Sequence, residues 1–124
     1  MGTVIAVGVA GFFGAIARYS LEGLVSSRTT SFPWGTFVVN ISGSFVLGVA
    51  FAVLIEGRAI VSPQLRTALT VGLIGAYTTF STLTLETFRL VEDGSYVLAA
   101  ANALGSLAVG LVALYVGVVI GRSI

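Results

Sequence analysis

The residues Thr78-Thr79-Phe80-Ser81-Thr82 lie in the middle of a run, Thr67 to Leu85, that carries no charge and is long enough to cross a bilayer. Hydroxyls and β-branched side chains crowd its centre, and Gly72 and Gly75 precede it. A lipid-facing helix gains nothing from this composition, because in hydrocarbon every backbone polar group needs a partner. Irregular backbone at membrane depth is tolerated where it is buried in protein or lines a wet cavity. An unwound stretch here would free carbonyls of residues such as Gly75 and Thr78, and carbonyl oxygens suit a hard cation. That cation could be a structural plug, a coupled ion or a transported species. Phe80 sits among the hydroxyls. Its ring has a positive edge, which can offer weak positive potential to an anion, although apolar packing is the ordinary role of a membrane phenylalanine.

Two further polar tracks share the same logic. Asn40, Ser44 and Gly48 are spaced i, i+4, i+8 and fall on one helical face, and Asn102, Ser106 and Gly110 repeat the pattern later in the chain. Each track offers amide N–H donors, then a hydroxyl, then a gap. Such residues also serve as interhelical hydrogen bonds. Two uncharged, donor-capable tracks in one small protein suit a small anion or water better than a large organic cation. Arg18 is the charge inside the first apolar run. It either snorkels to the headgroups or places a fixed positive charge at a vestibule.

Covalent chemistry has little to work with. Among 124 residues there is no cysteine and no histidine, so thiolate chemistry, soft-metal sites and the commonest general base are excluded, and no enzyme activity is expected. With six arginines, no lysine, five acids and a net charge of +1, the chain is no nucleic-acid platform. Charged residues make up 9% of the chain and hydrophobic ones 56%, against about 25% charge in ordinary soluble domains.

The elements that must position these residues are four apolar runs, Thr3 to Leu21, Trp34 to Ile55, Thr67 to Leu85 and Ser95 to Gly121. They predict one all-α transmembrane domain over residues 1–124, with helices over about 3–25, 34–56, 64–90 and 95–121 and a break in the third. The first run lacks a basic start and contains Arg18, which makes it a poor signal peptide and leads us to expect a retained span. A polar turn over residues 26–33, Glu56-Gly57-Arg58, Ser62-Pro63 and Glu92-Asp93-Gly94-Ser95 separate the spans. Arg58, Arg66 and Arg122 fall at one end, with Arg28, Arg89 and borderline Arg18 at the other. A difference of about one arginine barely fixes an orientation, which leaves open insertion in both orientations and antiparallel pairing. Small residues four apart (Ala10 and Gly14, Gly11 and Ala15, Ser44 and Gly48, Gly117 and Gly121) predict close helix approach, either within a subunit or between subunits.

Over essentially its full length the chain resembles the Fluc (CrcB) family of bacterial fluoride channels. The resemblance rests on Gly11-x-x-Gly14-Ala15-x-x-Arg18-Tyr19, then Gly35-Thr36-x-x-Val39-Asn40-x-x-Gly43-Ser44-Phe45-x-x-Gly48, then Gly72-x-x-Gly75-x-x-Thr78-Thr79-Phe80-Ser81-Thr82, then Asn102-x-x-x-Ser106. It implies a multi-pass protein of the bacterial inner membrane that lets fluoride leave passively. It also implies an antiparallel dual-topology homodimer, with pores lined by both subunits and a central structural Na⁺. Position by position, Gly75 and Thr78 would give that ion their carbonyls. Asn40, Phe80 and Ser106 would line the pore with Thr79, Thr82 and Asn102, the last where relatives often carry tyrosine. Arg18 would sit at the vestibule, and Glu86 matches a supporting acid. Leu83 replaces the second phenylalanine of the family string, so the pore wall there loses a ring edge. A small multidrug-type proton-coupled exporter is the alternative, but it needs an embedded carboxylate in the first helix, where the only acid is Glu22 near the end. A non-transporting assembly protein would use the polar tracks for packing alone.

Overall fold

A computed structural model describes residues 1–26 and 31–124. Residues 27–30 of the turn expected over 26–33, Arg28 among them, therefore lie outside the described residues. All regular structure among the described residues is helical. The first helix, α1, covers Gly2–Ser26. The second span runs from Trp34 to Ile55 as α2 (Trp34–Ala50) followed by a π-helical segment, Phe51–Ile55. The third, Pro63–Glu92, is composite: α3 (Pro63–Thr67), a π segment (Ala68–Ile74), a single turn α4 (Gly75–Tyr77), an interruption, and α5 (Phe80–Glu92). The fourth, α6, is continuous over Tyr96–Ser123. Each of the four is long and apolar enough to cross a membrane.

Local chemistry accounts for the ends. Ser62 caps α3, its hydroxyl accepting from the Leu65 N–H at 3.2 Å with Pro63 in the first helical position. Gly57 and Gly94 turn the chain with φ of +82° and +76°, a region closed to most side chains.

Glycines decide how closely the helices pack. α2 and α6 form the most extensive helix pair. A Cβ on Gly48 would lie 2.1 Å from the Leu114 carbonyl, and one on Gly117 2.2 Å from the Phe45 carbonyl. α1 meets the π segment of the third span in the same way, with Gly14 against the Leu73 carbonyl and Gly72 against that of Val7. Of the small-residue pairs, Gly14, Gly48, Gly117 and Gly121 are thus used inside the subunit. The fully buried Val39 and Ala52 form the apolar centre with Ala68, Ile74, Ala99 and Val118. Large apolar side chains such as Val4, Phe12, Leu104, Leu111 and Tyr115 point outward, as a lipid solvent permits. Arg58 and Arg122 meet at one end, where Arg58 donates to the Arg122 carbonyl and Arg122 forks onto Glu56.

Candidate functional site

The third span breaks at Thr78 and Thr79, which are extended (φ, ψ of −83°, 157° and −147°, 119°). In a continuous helix the Thr79 N–H would bond to the Gly75 carbonyl and the Thr82 N–H to the Thr78 carbonyl. Both donors are diverted. The Thr79 N–H goes to Asn40 Oδ1 at 2.8 Å, while Asn40 Nδ2 donates to the Thr79 carbonyl at 2.9 Å. The Thr82 N–H goes to Thr79 Oγ1 at 3.2 Å, making Thr79 the N-cap of α5. The Asn40 amide therefore pairs with the broken main chain as a peptide group would. It answers the hydrogen-bond demand that membrane depth imposes.

Diversion of those two donors releases the Gly75 and Thr78 carbonyls from their helical partners. The carbonyl of Ala76, between them in sequence, accepts from Arg18 Nε at 3.3 Å. Arg18 Nη1 also lies 3.6 Å from Glu22 Oε2. Arg18 is thus partly buried and braces the end of α4 while keeping some exposure. Tyr77 Oη and Ser42 Oγ share a hydrogen bond of 2.8 Å, tying α4 to α2. Gly43 lets the break approach, since a Cβ there would meet the Thr78 methyl at 2.3 Å.

A cavity of about 690 Å³ runs beside the break. Asn40, Thr78, Thr79, Phe80, Leu83 and Ser106 line it, so most of the residues singled out in the sequence converge on one space. Phe80 is 78% exposed in the single subunit, its ring free of the core. Ser106 is buried with a hydroxyl that has no partner among the described residues. Thr82 and Asn102 do not line the cavity. Thr82 Oγ1 accepts from Thr79 Oγ1 at 3.0 Å, and the fully buried Asn102 donates from Nδ2 to Thr87 Oγ1 at 2.9 Å. Glu86 lies off the cavity too, accepting from the Thr36 hydroxyl at 2.8 Å and joining α5 to the start of α2. Thr84 and Thr87 do line it, and sequence reasoning passed over both. Their spacing from Phe80 (i+4 and i+7) placed them on the same helix face and was the available signal.

Residues 5–118 match the family described as CrcB-like protein, Camphor Resistance (CrcB). The chain belongs to the CrcB family. Among relatives, the fluoride-specific ion channel FluC of Geotalea daltonii is 45% identical over 125 residues, covering all of both chains. That of Geobacter sulfurreducens is 40% identical with the same coverage. The fluoride-specific ion channel FluC 1 of Methanosarcina acetivorans is 42% identical over 94% of this chain and 88% of its own. In this CrcB chain Leu83 stands on the cavity wall, where its side chain offers hydrocarbon alone.

Proposed function

We propose that this protein conducts fluoride passively and selectively across the membrane. Acting as efflux in a bacterial inner membrane, it would lower fluoride in the cytoplasm. The observation that carries this reading is the convergence of uncharged donors and two exposed rings, Phe80 and Phe88, on a single cavity beside a helix break. Full-length relatives named for fluoride conduction support it.

Fluoride is small and strongly hydrated, and stripping it bare in a low-dielectric medium is prohibitive. Replacement of its water must be stepwise. The second N–H of Asn40 Nδ2 and the hydroxyl of Ser106, which has no partner among the described residues, are donors on residues that line the cavity, and the ring edge of Phe80 adds attraction without tight binding. A conductor needs that balance between entry and release. Net charge stays off the wall, since Arg18 and Glu86 lie outside the lining and both are engaged with neighbours.

The chain assembles, in this reading, as an antiparallel dual-topology homodimer. Arginines at both ends leave orientation weakly specified, and Phe80 and the cavity mouth lie on the outer surface of one subunit. A second copy would close the cavity. The Gly75 and Thr78 carbonyls, released by the diversion of their donors, are the groups that would hold a central Na⁺, and two such pairs would supply four oxygens where one supplies two. Bound there, the ion would supply fixed positive charge that pins the break. The exporter alternative is disfavoured by Glu22, whose carboxylate is engaged by Arg18 near the end of α1.

The test is fluoride efflux from liposomes holding purified protein, followed with a fluoride electrode after a K⁺ ionophore relieves charge build-up. Rapid release of fluoride and retention of chloride are expected. Retention of fluoride by vesicles containing folded protein would defeat the proposal.

A further inference from the structure

On the α5 wall, the residues beyond Phe80 are Leu83, Thr84, Thr87 and Phe88, the last of which brings a ring but no hydrogen-bond donor. Leu83 gives hydrocarbon only, so a desolvated anion leaving the Phe80 ring edge meets no donor until the next turn. Thr84 is exposed and its hydroxyl donates to the Ser81 carbonyl at 2.9 Å, an ordinary helical back-bond. Thr87 differs. It is half-buried, it donates to the Leu83 carbonyl at 2.8 Å, and it simultaneously accepts from Asn102 Nδ2 at 2.9 Å.

The cost of that last bond points to a use. Asn102 has no exposure, and its Oδ1 is buried without a partner among the described residues. Leaving an amide carbonyl orphaned to support one threonine hydroxyl is expensive, and such a group in a native fold calls for an explanation. One turn further along α6, about 6 Å by helical rise, Ser106 is buried, its hydroxyl has no partner among the described residues, and it lines the same cavity. Helical serines commonly bond back to their own carbonyls; this one does not. Two hydroxyl-bearing residues thus line one cavity from adjoining helices, with a fully buried amide behind the first.

We propose that Thr87 is a fluoride-contacting residue and that Asn102 is its positioning residue. This rests on the fluoride-channel reading above. When an anion arrives, the Thr87 O–H turns from the Leu83 carbonyl toward the cavity, a single hydroxyl rotation. The Asn102 N–H stays on Oγ1 throughout, holding the oxygen in place and polarising the O–H into a stronger donor. Thr87 and Ser106 then receive the ion together, and the site stands in for the ring edge that Leu83 lacks. Short O–H donors favour fluoride over the larger chloride.

The experiment measures fluoride efflux and the fluoride-to-chloride ratio in liposomes for the wild type and for Thr87→Val, Thr87→Ser, Asn102→Leu and the double variant Thr87→Val/Asn102→Leu. Each chain is first checked for monodispersity, with Thr87→Ala replacing the valine variant should that fail to fold. Thr87→Val should slow fluoride efflux about tenfold, the size of one lost charge-assisted donor, and narrow the selectivity ratio. Thr87→Ser should recover most of the rate. Asn102→Leu should slow efflux by itself and add nothing to Thr87→Val, because it acts through Thr87. Wild-type efflux from Thr87→Val, a serine variant as slow as the valine one, or additive losses in the double variant would each overturn the assignment. Wild-type protein that releases no fluoride would instead remove the reading beneath it.

Discussion

Replacing Asn40 by leucine tests how the helix break is held. The amide makes two hydrogen bonds to Thr79, at 2.9 Å and 2.8 Å, and leucine of similar size makes neither. Interhelical side-chain bonds in membranes average about 0.6 kcal/mol and reach about 1.7, so two are worth roughly 1–3 kcal/mol. The released Thr79 N–H has another acceptor within reach, the Gly75 carbonyl it would use in a continuous helix. The variant therefore favours a healed third span by about 5- to 150-fold over the wild type. Converting two extended residues to helix shortens the segment by about 4 Å, from roughly 3.3 to 1.5 Å of rise per residue. Phe80 and Leu83 would move off the cavity, and the Gly75 carbonyl would no longer be free. Asn40→Asp separates geometry from charge. Its carboxylate can still accept from the Thr79 N–H, but it sets an anion against the Thr79 carbonyl and into the cavity. Fluoride efflux from liposomes should fall at least tenfold in both variants, through repulsion in the aspartate chain and through loss of the break in the leucine chain. Efflux from Asn40→Leu within twofold of wild type would refute the clamp.

Phe80→Ile keeps bulk while removing the ring edge. Because Phe80 is 78% exposed in the subunit, fold stability should change by no more than about 0.5 kcal/mol, whereas fluoride efflux should fall about tenfold or more; an unchanged rate would reduce Phe80 to packing. Gly48→Ala puts a methyl 2.1 Å from the Leu114 carbonyl, with backbone that cannot yield. It should cost about 1–3 kcal/mol, read by thermal unfolding in detergent. The Arg122 hydrogen bond holds the Glu56 carboxyl below its ordinary value of 4.5. A depressed carboxyl stabilises above its unfolded pKa and loses that contribution as pH falls through its folded pKa. The unfolding temperature should therefore drop more steeply below pH 4.5 in wild type than in Glu56→Gln; parallel curves would show the pair to be without effect.

Much of this arrangement was legible from residue types. Uncharged runs marked the spans, because hydrocarbon selects for them along the whole length of a helix. The hydroxyl-rich centre of the third run marked the break, and the spacing of Asn40 and Ser106 put them on faces that do converge on one cavity. The remainder depended on contacts between helices, which spacing does not encode. Nothing in the order of residues says that Asn40 would spend its amide on the Thr79 main chain, or that Thr82 and Asn102 would stay out of the cavity lining while Thr87 joined it. The π segments at Phe51–Ile55 and Ala68–Ile74 left no local mark either. Small-residue spacing announced close helix approach but not between which helices; the Gly48–Leu114 and Gly117–Phe45 contacts resolve it to α2 and α6.

The central claim is selective fluoride conduction, and a planar-bilayer recording tests it most directly. With a tenfold fluoride gradient and symmetrical chloride, a fluoride-selective channel reverses near the fluoride equilibrium potential, about 59 mV from zero for one charge. That value is expected for this protein. Reversal near zero, or no current from protein shown to be folded and inserted, would contradict it.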